Sequence, residues 1–184
     1  VYMKTNLLLS LILLTSITLA PAQVWEQKST KSNDHISALW FTDAQKGVAM
    51  GFQGCYYKTT DGGVNWEKQT AFSSDYIYDV YFTDNNNGVA VGDNGSIYHT
   101  TDFGVTWTQK SVGTTSPFRS ISFGDANTGY AAAWYYTVFK TTDGGSTWQD
   151  CSPPGPSWFF GTYFKDAMNG FIVGSMYRVM QTTD

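Results

Sequence analysis

The eight residues Thr59-Thr60-Asp61-Gly62-Gly63-Val64-Asn65-Trp66 bring together a carboxylate, two hydroxyls, two glycines and an indole. A carboxylate on a glycine turn can bind a cation, border a phosphate loop or move a proton. Each of those chemistries belongs to a site made once, and this stretch is made several times. Thr59-Thr60-Asp61 returns as Thr100-Thr101-Asp102, Thr141-Thr142-Asp143 and Thr182-Thr183-Asp184, always 41 residues on. Gly63 returns as Gly104 and Gly145, and Trp66 as Trp107, Trp148 and, looking backwards, Trp25. Phe41, Asp43 and Gly47 keep the same step through Phe82, Asp84 and Gly88, then Phe123, Asp125 and Gly129, then Phe164, Asp166 and Gly170. A residue present in every copy serves what every copy needs, which is folding. Asp61, Asp102, Asp143 and Asp184, with Gly63, Gly104, Gly145, Trp66, Trp107 and Trp148, are therefore read as structural.

Chemistry particular to this chain is sought where the copies differ. His99 holds a slot shared with Lys58, Lys140 and Gln181 and reads as an exposed strand residue; His35 stands alone in a loop. Glu26 and Glu67 share a slot and read as solvated edge charges. Asp79 stands where the other copies have Ala38, Ser120 and Gly161. It reads as a hydrogen-bonded acid facing a central channel, with a ligand-binding or catalytic role as the alternative. No His, Cys or carboxylate pair has metal-ligand spacing, and no nucleophile-elbow or P-loop pattern occurs, so neither metal nor cofactor is expected. Cys55 and Cys151 occupy different slots and are expected to be separate buried thiols, although an oxidising compartment would permit a bridge.

A fixed period of about 40 to 45 residues is the length of a four-stranded propeller blade. In the first copy the expected strands are 36–42, 47–51, 55–60 and 65–70, short runs rich in aromatic and β-branched residues and bounded by Gly, Asp and Asn. Later copies start near residues 77, 118 and 159. The fold class is all-β: a β-propeller of four-stranded antiparallel blades. The opening stretch becomes the corner between the third and fourth strands. Asp61 should accept backbone N–H groups one to three residues on. Because Phe103 replaces Gly62 in the second copy, only the later glycine reads as required for positive φ.

The pattern (S/T)-x-D-x-G-x-T-W, carried by the stretches ending at Trp107 and Trp148, resembles the Asp-box or BNR repeat of the WD40/YVTN/BNR-like superfamily. Asn65 replaces the Thr in the first copy. With the preceding F-x-D-x-x-x-G, as in Phe82 to Gly88, the chain is most similar to the photosystem II assembly and stability factor family over residues 23–184. That resemblance implies a non-enzymatic scaffold or assembly factor that binds a protein through an arginine-rich surface, for which this chain has Arg119 and Arg178. Other Asp-box proteins are sialidases and xyloglucan-cleaving glycosidases. A sialidase-type site needs three arginines, and this chain has two. A xyloglucanase-type site needs two carboxylates about a cleft, for which Asp79 and Asp93 are the available pair. A glycosidase or a carbohydrate-binding propeller is the alternative reading.

Lys4, the apolar run Leu7 to Ala20 and the small-residue pattern Ala20-Pro21-Ala22 read as a secretory signal over residues 1–22, cut before Gln23. The apolar run is shorter than the roughly 20 residues that span a bilayer, so no stable anchor is expected after cleavage. The expected location is secreted, periplasmic or cell-surface. The net charge is −4, too acidic and too poor in arginine for nucleic acid. Residues 24–29 read as a fourth strand without its first three, while the last copy has three strands without the fourth. A four-bladed ring closed by 24–29 and a part of a larger ring of six to eight blades both fit, with the larger ring expected because the chain stops on Asp184.

The copies diverge mainly at the turns between second and third strands and at the loops between blades. In a four-stranded meander these connections share one end, opposite the Asp-box corners. That end gathers Phe52, Tyr76, Asp93, Trp134, Tyr135, Tyr136, Trp158 and Tyr177, with Arg119 and Arg178 close by. Arg and aromatic residues are typical of binding hot spots, so a protein or glycan partner is expected there.

Overall fold

The computed structural model describes residues 26–28, 32–155, 157–176 and 178–183. Residues 1–25, which include the expected leader and Trp25, lie outside them, as do Tyr177 and Asp184. Four antiparallel meanders follow one another. The first is β1 (Ile36–Phe41), β2 (Gly47–Gly51), β3 (Tyr56–Thr59) and β4 (Glu67–Lys68). The second is β5 (Ile77–Phe82), β6 (Gly88–Gly92), β7 (Ile97–Thr100) and β8 (Thr108–Lys110). The third is β9 (Phe118–Phe123), β10 (Gly129–Ala133), β11 (Val138–Thr141) and β12 (Gln149–Asp150). The fourth has β13 (Phe159–Phe164), β14 (Gly170–Gly174) and β15 (Val179–Thr182). Every residue of β2, β6 and β10 is buried; neighbouring blades cover both faces of β6 and β10, whereas in the first blade Tyr57 and Trp66 pack with Ala49 on the face away from the second blade. The outer strands are shorter than the sequence suggested: Asn65 and Trp66 precede β4, and Cys55 precedes β3.

The corner between third and fourth strands is a knot tied by a hydroxyl. Thr100 Oγ1 donates to Asp102 Oδ1 at 2.8 Å and accepts the Gly104 N–H at 2.8 Å. Asp102 in turn accepts the Thr106 N–H at 2.9 Å and the Thr106 hydroxyl at 2.7 Å. Thr59 with Asp61 and Thr141 with Asp143 repeat the arrangement. The aspartate thus reaches an N–H four residues on, further than expected. Both residues after it are left-handed, with φ 54° at Phe103 and 68° at Gly104. The earlier position tolerates a side chain, since Phe103 packs on Phe82 at 5.6 Å. The later one does not, because a Cβ at Gly104 would meet the Tyr56 hydroxyl at 2.2 Å.

Blades are joined by three further devices. Trp107 lies across Phe72 of the preceding blade, their rings 5.1 Å apart, and edge-on to Tyr56 and Phe82. Asp79 accepts the Val80 N–H through Oδ1 and the Ile121 N–H of the next blade through Oδ2, each at 2.9 Å. Ser120, in the same slot, accepts the Thr162 N–H at 3.1 Å. Buried tyrosine hydroxyls on the third strands are matched by loop acids: Tyr57 donates to Asp34, and Tyr98 to Asp75 at 2.7 Å. Where the later copies have Phe139 and Met180 instead, the acid slot holds Ser116 and Ser157.

Two expectations change here. Both cysteines are free, but only Cys55 is buried; Cys151 sits exposed at the end of β12. His99 is half-buried against Gly145 of the next blade, and that burial lowers its pKa. The four blades form an arc that does not close: Leu39 is 59% exposed, whereas its counterparts Val80 and Ile121 are 2% and 4% exposed.

Thr100→Val should cost about 1–3 kcal/mol in urea unfolding, because it leaves the buried Gly104 N–H unpaired. Thr101→Val, one residue on and exposed, should stay within about 0.5 kcal/mol; equal losses at the two sites would refute the knot. Acid should also act through the loop aspartates. The Lys68 ammonium, followed by the Tyr57 hydroxyl, lowers Asp34 to about 2. Backbone N–H groups, those of Lys46, Asn87 and Thr128 foremost, hold Asp43, Asp84 and Asp125 below the ordinary range. A depressed carboxylate stabilises fully above its unfolded pKa of about 4, and that contribution is lost as pH falls toward the folded value. Burial raises Asp79, which acts in the opposite sense, but it is one group against several. The melting temperature should therefore fall steadily from about pH 4 toward pH 2; a flat profile there would contradict this.

Candidate binding face

Strand direction in a meander places alternate connections at opposite ends. The Asp-box corners bond to the first turns of their own blades, as in Gly62 N–H to Gln45 O and Phe103 N–H to Asn86 O, both 2.9 Å. The turns between second and third strands bond instead to the loops between blades. Phe52 N–H reaches His35 O, Asp93 N–H reaches Tyr76 O and Trp134 N–H reaches Pro117 O, each at 3.0 Å. The Asp-box residues therefore stand at one end of the arc, and the divergent loops at the other.

Two backbone irregularities point side chains out of that second end. The first strand of every blade carries a bulge, skipping Ser37, Tyr78, Arg119 and Phe160 in the four copies. A bulge re-aims its extra residue, and these four slots are where the copies differ in chemistry. The second irregularity is the turn after β10. Gln53-Gly54 and Asn94-Gly95 take two successive left-handed residues, with glycine second. The third copy places Tyr135 and Tyr136 there, at φ 55° and 67°. Left-handed backbone costs a residue with a Cβ roughly 1–2 kcal/mol, and such strain gathers at functional surfaces.

Together these residues form a continuous ladder across all four blades. His35 stacks on Phe52 at 5.5 Å, Phe52 stacks on Tyr76 at 4.5 Å, and Phe52 meets Tyr78 edge-on at 6.5 Å. The Arg119 guanidinium is clamped between the Tyr78 ring at 3.7 Å and the Trp134 ring at 3.9 Å. Trp134 stacks on Trp158 at 6.1 Å, and Tyr135 stands edge-on to both. Burial, then the neighbouring Asp93 carboxylate, raises the Tyr78 hydroxyl pKa, while Arg119 opposes that rise. Arg119 Nε and Trp134 Nε1 are buried donors with no partner among the described residues. Beyond Trp158, a cleft of about 240 Å³ opens between Tyr136, Ser157, Ser175 and Met176.

The structure thus brings Phe52, Tyr76, Arg119, Trp134, Tyr135 and Trp158 into one ladder, with Asp93 beside it. Arg178 is half-buried next to Gly155 and is not stacked among these rings. Tyr136 lines the adjoining cleft. Tyr78 and His35 were missed; Tyr78 was findable, because it fills the slot that holds Arg119 one repeat later. Asp79 uses both carboxylate oxygens on backbone N–H groups. Among the described residues, no three His, Cys, Asp or Glu side chains are grouped to hold a metal.

Fold and repeat together define a partial β-propeller built from Asp-box (BNR) repeats. Residues 72–152 match the family model described as photosynthesis system II assembly factor YCF48. YCF48 from Cyanidioschyzon merolae superposes with a TM-score of 0.63 at 16% identity, over 80% of this chain and 50% of that one. A structure of YCF48 bound to D1 peptide gives 0.57 at 15% identity, over 81% of this chain and 77% of that one. The GH74 enzyme of Niastella koreensis gives 0.65 at 17% identity, over 81% of this chain and 29% of that one. At these identities the likeness concerns the fold. This chain spans half the length of the C. merolae protein. No curated protein matches it.

Tyr136→Gly should raise stability by about 1 kcal/mol in thermal or urea unfolding, by relieving the left-handed tyrosine. A destabilised variant would mean that Tyr136 is held for packing rather than for display.

Proposed function

We propose that this chain is a non-enzymatic scaffold of the assembly-factor type, and that it binds a protein partner through the ladder running from His35 to Trp158. The observation that carries this reading is Arg119, pressed between Tyr78 and Trp134 with unpaired donors beside it. Guanidinium and aromatic groups held rigid in advance lose little freedom on binding, which is the usual make-up of an interface hot spot. The match to the assembly-factor model supports the reading, because residues 72–152 include Tyr76, Tyr78, Asp93, Arg119 and the Trp134–Tyr136 turn. So does the existence of a peptide complex of a similarly folded protein. A leader over residues 1–22, as expected from the sequence, would place that action outside the cytoplasm. The use of both Asp79 oxygens on backbone N–H groups favours this reading over hydrolysis by an Asp79–Asp93 pair.

Parallel peptide and glycan arrays test this. Binding should appear on the peptide array, and Trp134→Ala combined with Arg119→Ala should weaken it at least tenfold while the melting curve stays cooperative. Binding to glycans alone, or unchanged peptide binding in the variant, would overturn the proposal.

A further inference from the structure

Along the binding face, loops between blades alternate with turns between second and third strands. The loop slots are His35, Tyr76, Pro117 and Trp158, and the turn slots are Phe52, Asp93, Trp134 and Ser175. Where neighbouring slots both hold rings, the rings stack. Phe52 stacks on His35 at 5.5 Å and on Tyr76 at 4.5 Å, and Trp134 stacks on Trp158 at 6.1 Å. At Ser175 the series lacks a ring. Trp158 remains 48% exposed, and the cleft of about 240 Å³ opens between it and Ser175. This gap comes from a short side chain in the turn after β14. Its walls are described residues of the third blade, the fourth blade and the loop joining them.

Those walls are fixed before anything enters. The Ser175 N–H donates to Trp158 O at 2.8 Å, and the Trp158 N–H donates to Ser175 Oγ at 3.0 Å. The Tyr136 N–H donates to Ser157 O at 3.0 Å. Tyr136 and Met176 stand on left-handed backbone, with φ 67° and 57°, which is costly for residues with a Cβ. Strain of this kind gathers at ligand clamps.

The lining chemistry selects the occupant. It consists of a phenol, an indole, a thioether and two serines, without a charged side chain. Ser175 Oγ is engaged by the Trp158 N–H, and Ser157 Oγ is buried away from solvent. An ionised group would lose its hydration there without gaining a counter-charge. A sugar carries hydroxyls around its whole edge and would leave most of them unpaired. A flat apolar ring, in contrast, can stack on Trp158 as Trp134 does and meet the Met176 sulfur, a contact that aromatic rings favour.

We propose that this cleft is a seat for an aromatic side chain of the protein partner, which supplies the ring that Ser175 omits. The inference rests on the reading of the ladder as a protein-binding face. It gives the partner an aromatic anchor alongside its contacts at Arg119.

The test titrates the full-length, isotope-labelled chain with N-acetyl-tryptophanamide, N-acetyl-leucinamide and cellobiose, following the Trp158 indole N–H by NMR. The first should shift that signal saturably, and the other two should not. Ser175→Trp should weaken the tryptophanamide response at least tenfold by filling the seat from within. The same slot carries Phe52 and Trp134 in other blades, and Ser175→Phe gives a second filling variant. For the tightest peptide from the array, changing one of its aromatic residues to Ala should weaken binding at least tenfold to the unaltered chain and less than twofold to Ser175→Trp. An equal shift from leucinamide or cellobiose would overturn the seat, as would an undiminished response in both filling variants. Peptide binding that no aromatic-to-alanine change weakens would overturn the seat and leave the scaffold reading standing. A chain that seats tryptophanamide yet binds no peptide would keep the aromatic seat and remove the scaffold reading.

Discussion

In each of the three described corners the first threonine donates its hydroxyl proton to an aspartate and accepts the N–H of the glycine four residues on. That one buried oxygen turns the chain from the third strand toward the fourth and holds two left-handed residues in place. It thereby sets where the tryptophan emerges. The tryptophan then reaches the neighbouring blade, as Trp107 does on Phe72, and the blades stack in an arc with their first strands side by side. Alignment of the bulges at one end of the arc is a consequence of that stacking. The corner is chemically rich and functionally remote, because its threonine and aspartate oxygens are used within the corner itself.

At the other end the same repetition has a different result. A bulge recurs in every blade because the backbone pairing recurs, but its residue is released from the ladder of hydrogen bonds and free to vary. Ser37 spends its hydroxyl on Ile77 O at 2.5 Å, a purely structural use. Tyr78 and Arg119, in the next two copies, project into the row of rings instead. A slot built by folding thus becomes a place where side chains can change without breaking a blade. The strained Tyr135-Tyr136 turn shows the same logic carried further, with tyrosines displayed where Asn-Gly would be relaxed.

Blade period, strand order and the segregation of constant from variable turns were all readable in the sequence, because each depends on local pairing that repeats at 41 residues. The errors came from contacts between blades. His99 was read as exposed from its lysine-bearing slot, yet Gly145 of the next blade covers it. Cys151 was read as buried, yet it follows the outermost strand of its blade and is exposed. The reading that only the later glycine is required agrees with the structure: Phe103 holds the earlier position at φ 54° with its ring on Phe82 of the same blade.

The sequence by itself determined the architecture, the structural role of the Asp-box and the end of the arc where the copies disagree, because hydrogen-bond and side-chain periodicities are properties of a few neighbouring residues. Only the tertiary structure decided that Arg119 lies between Tyr78 and Trp134 and that Asp79 fastens one blade to the next. Those facts depend on the distance and twist between successive sheets. Both arise from the packing of whole blades against one another, which spacing along the chain does not encode.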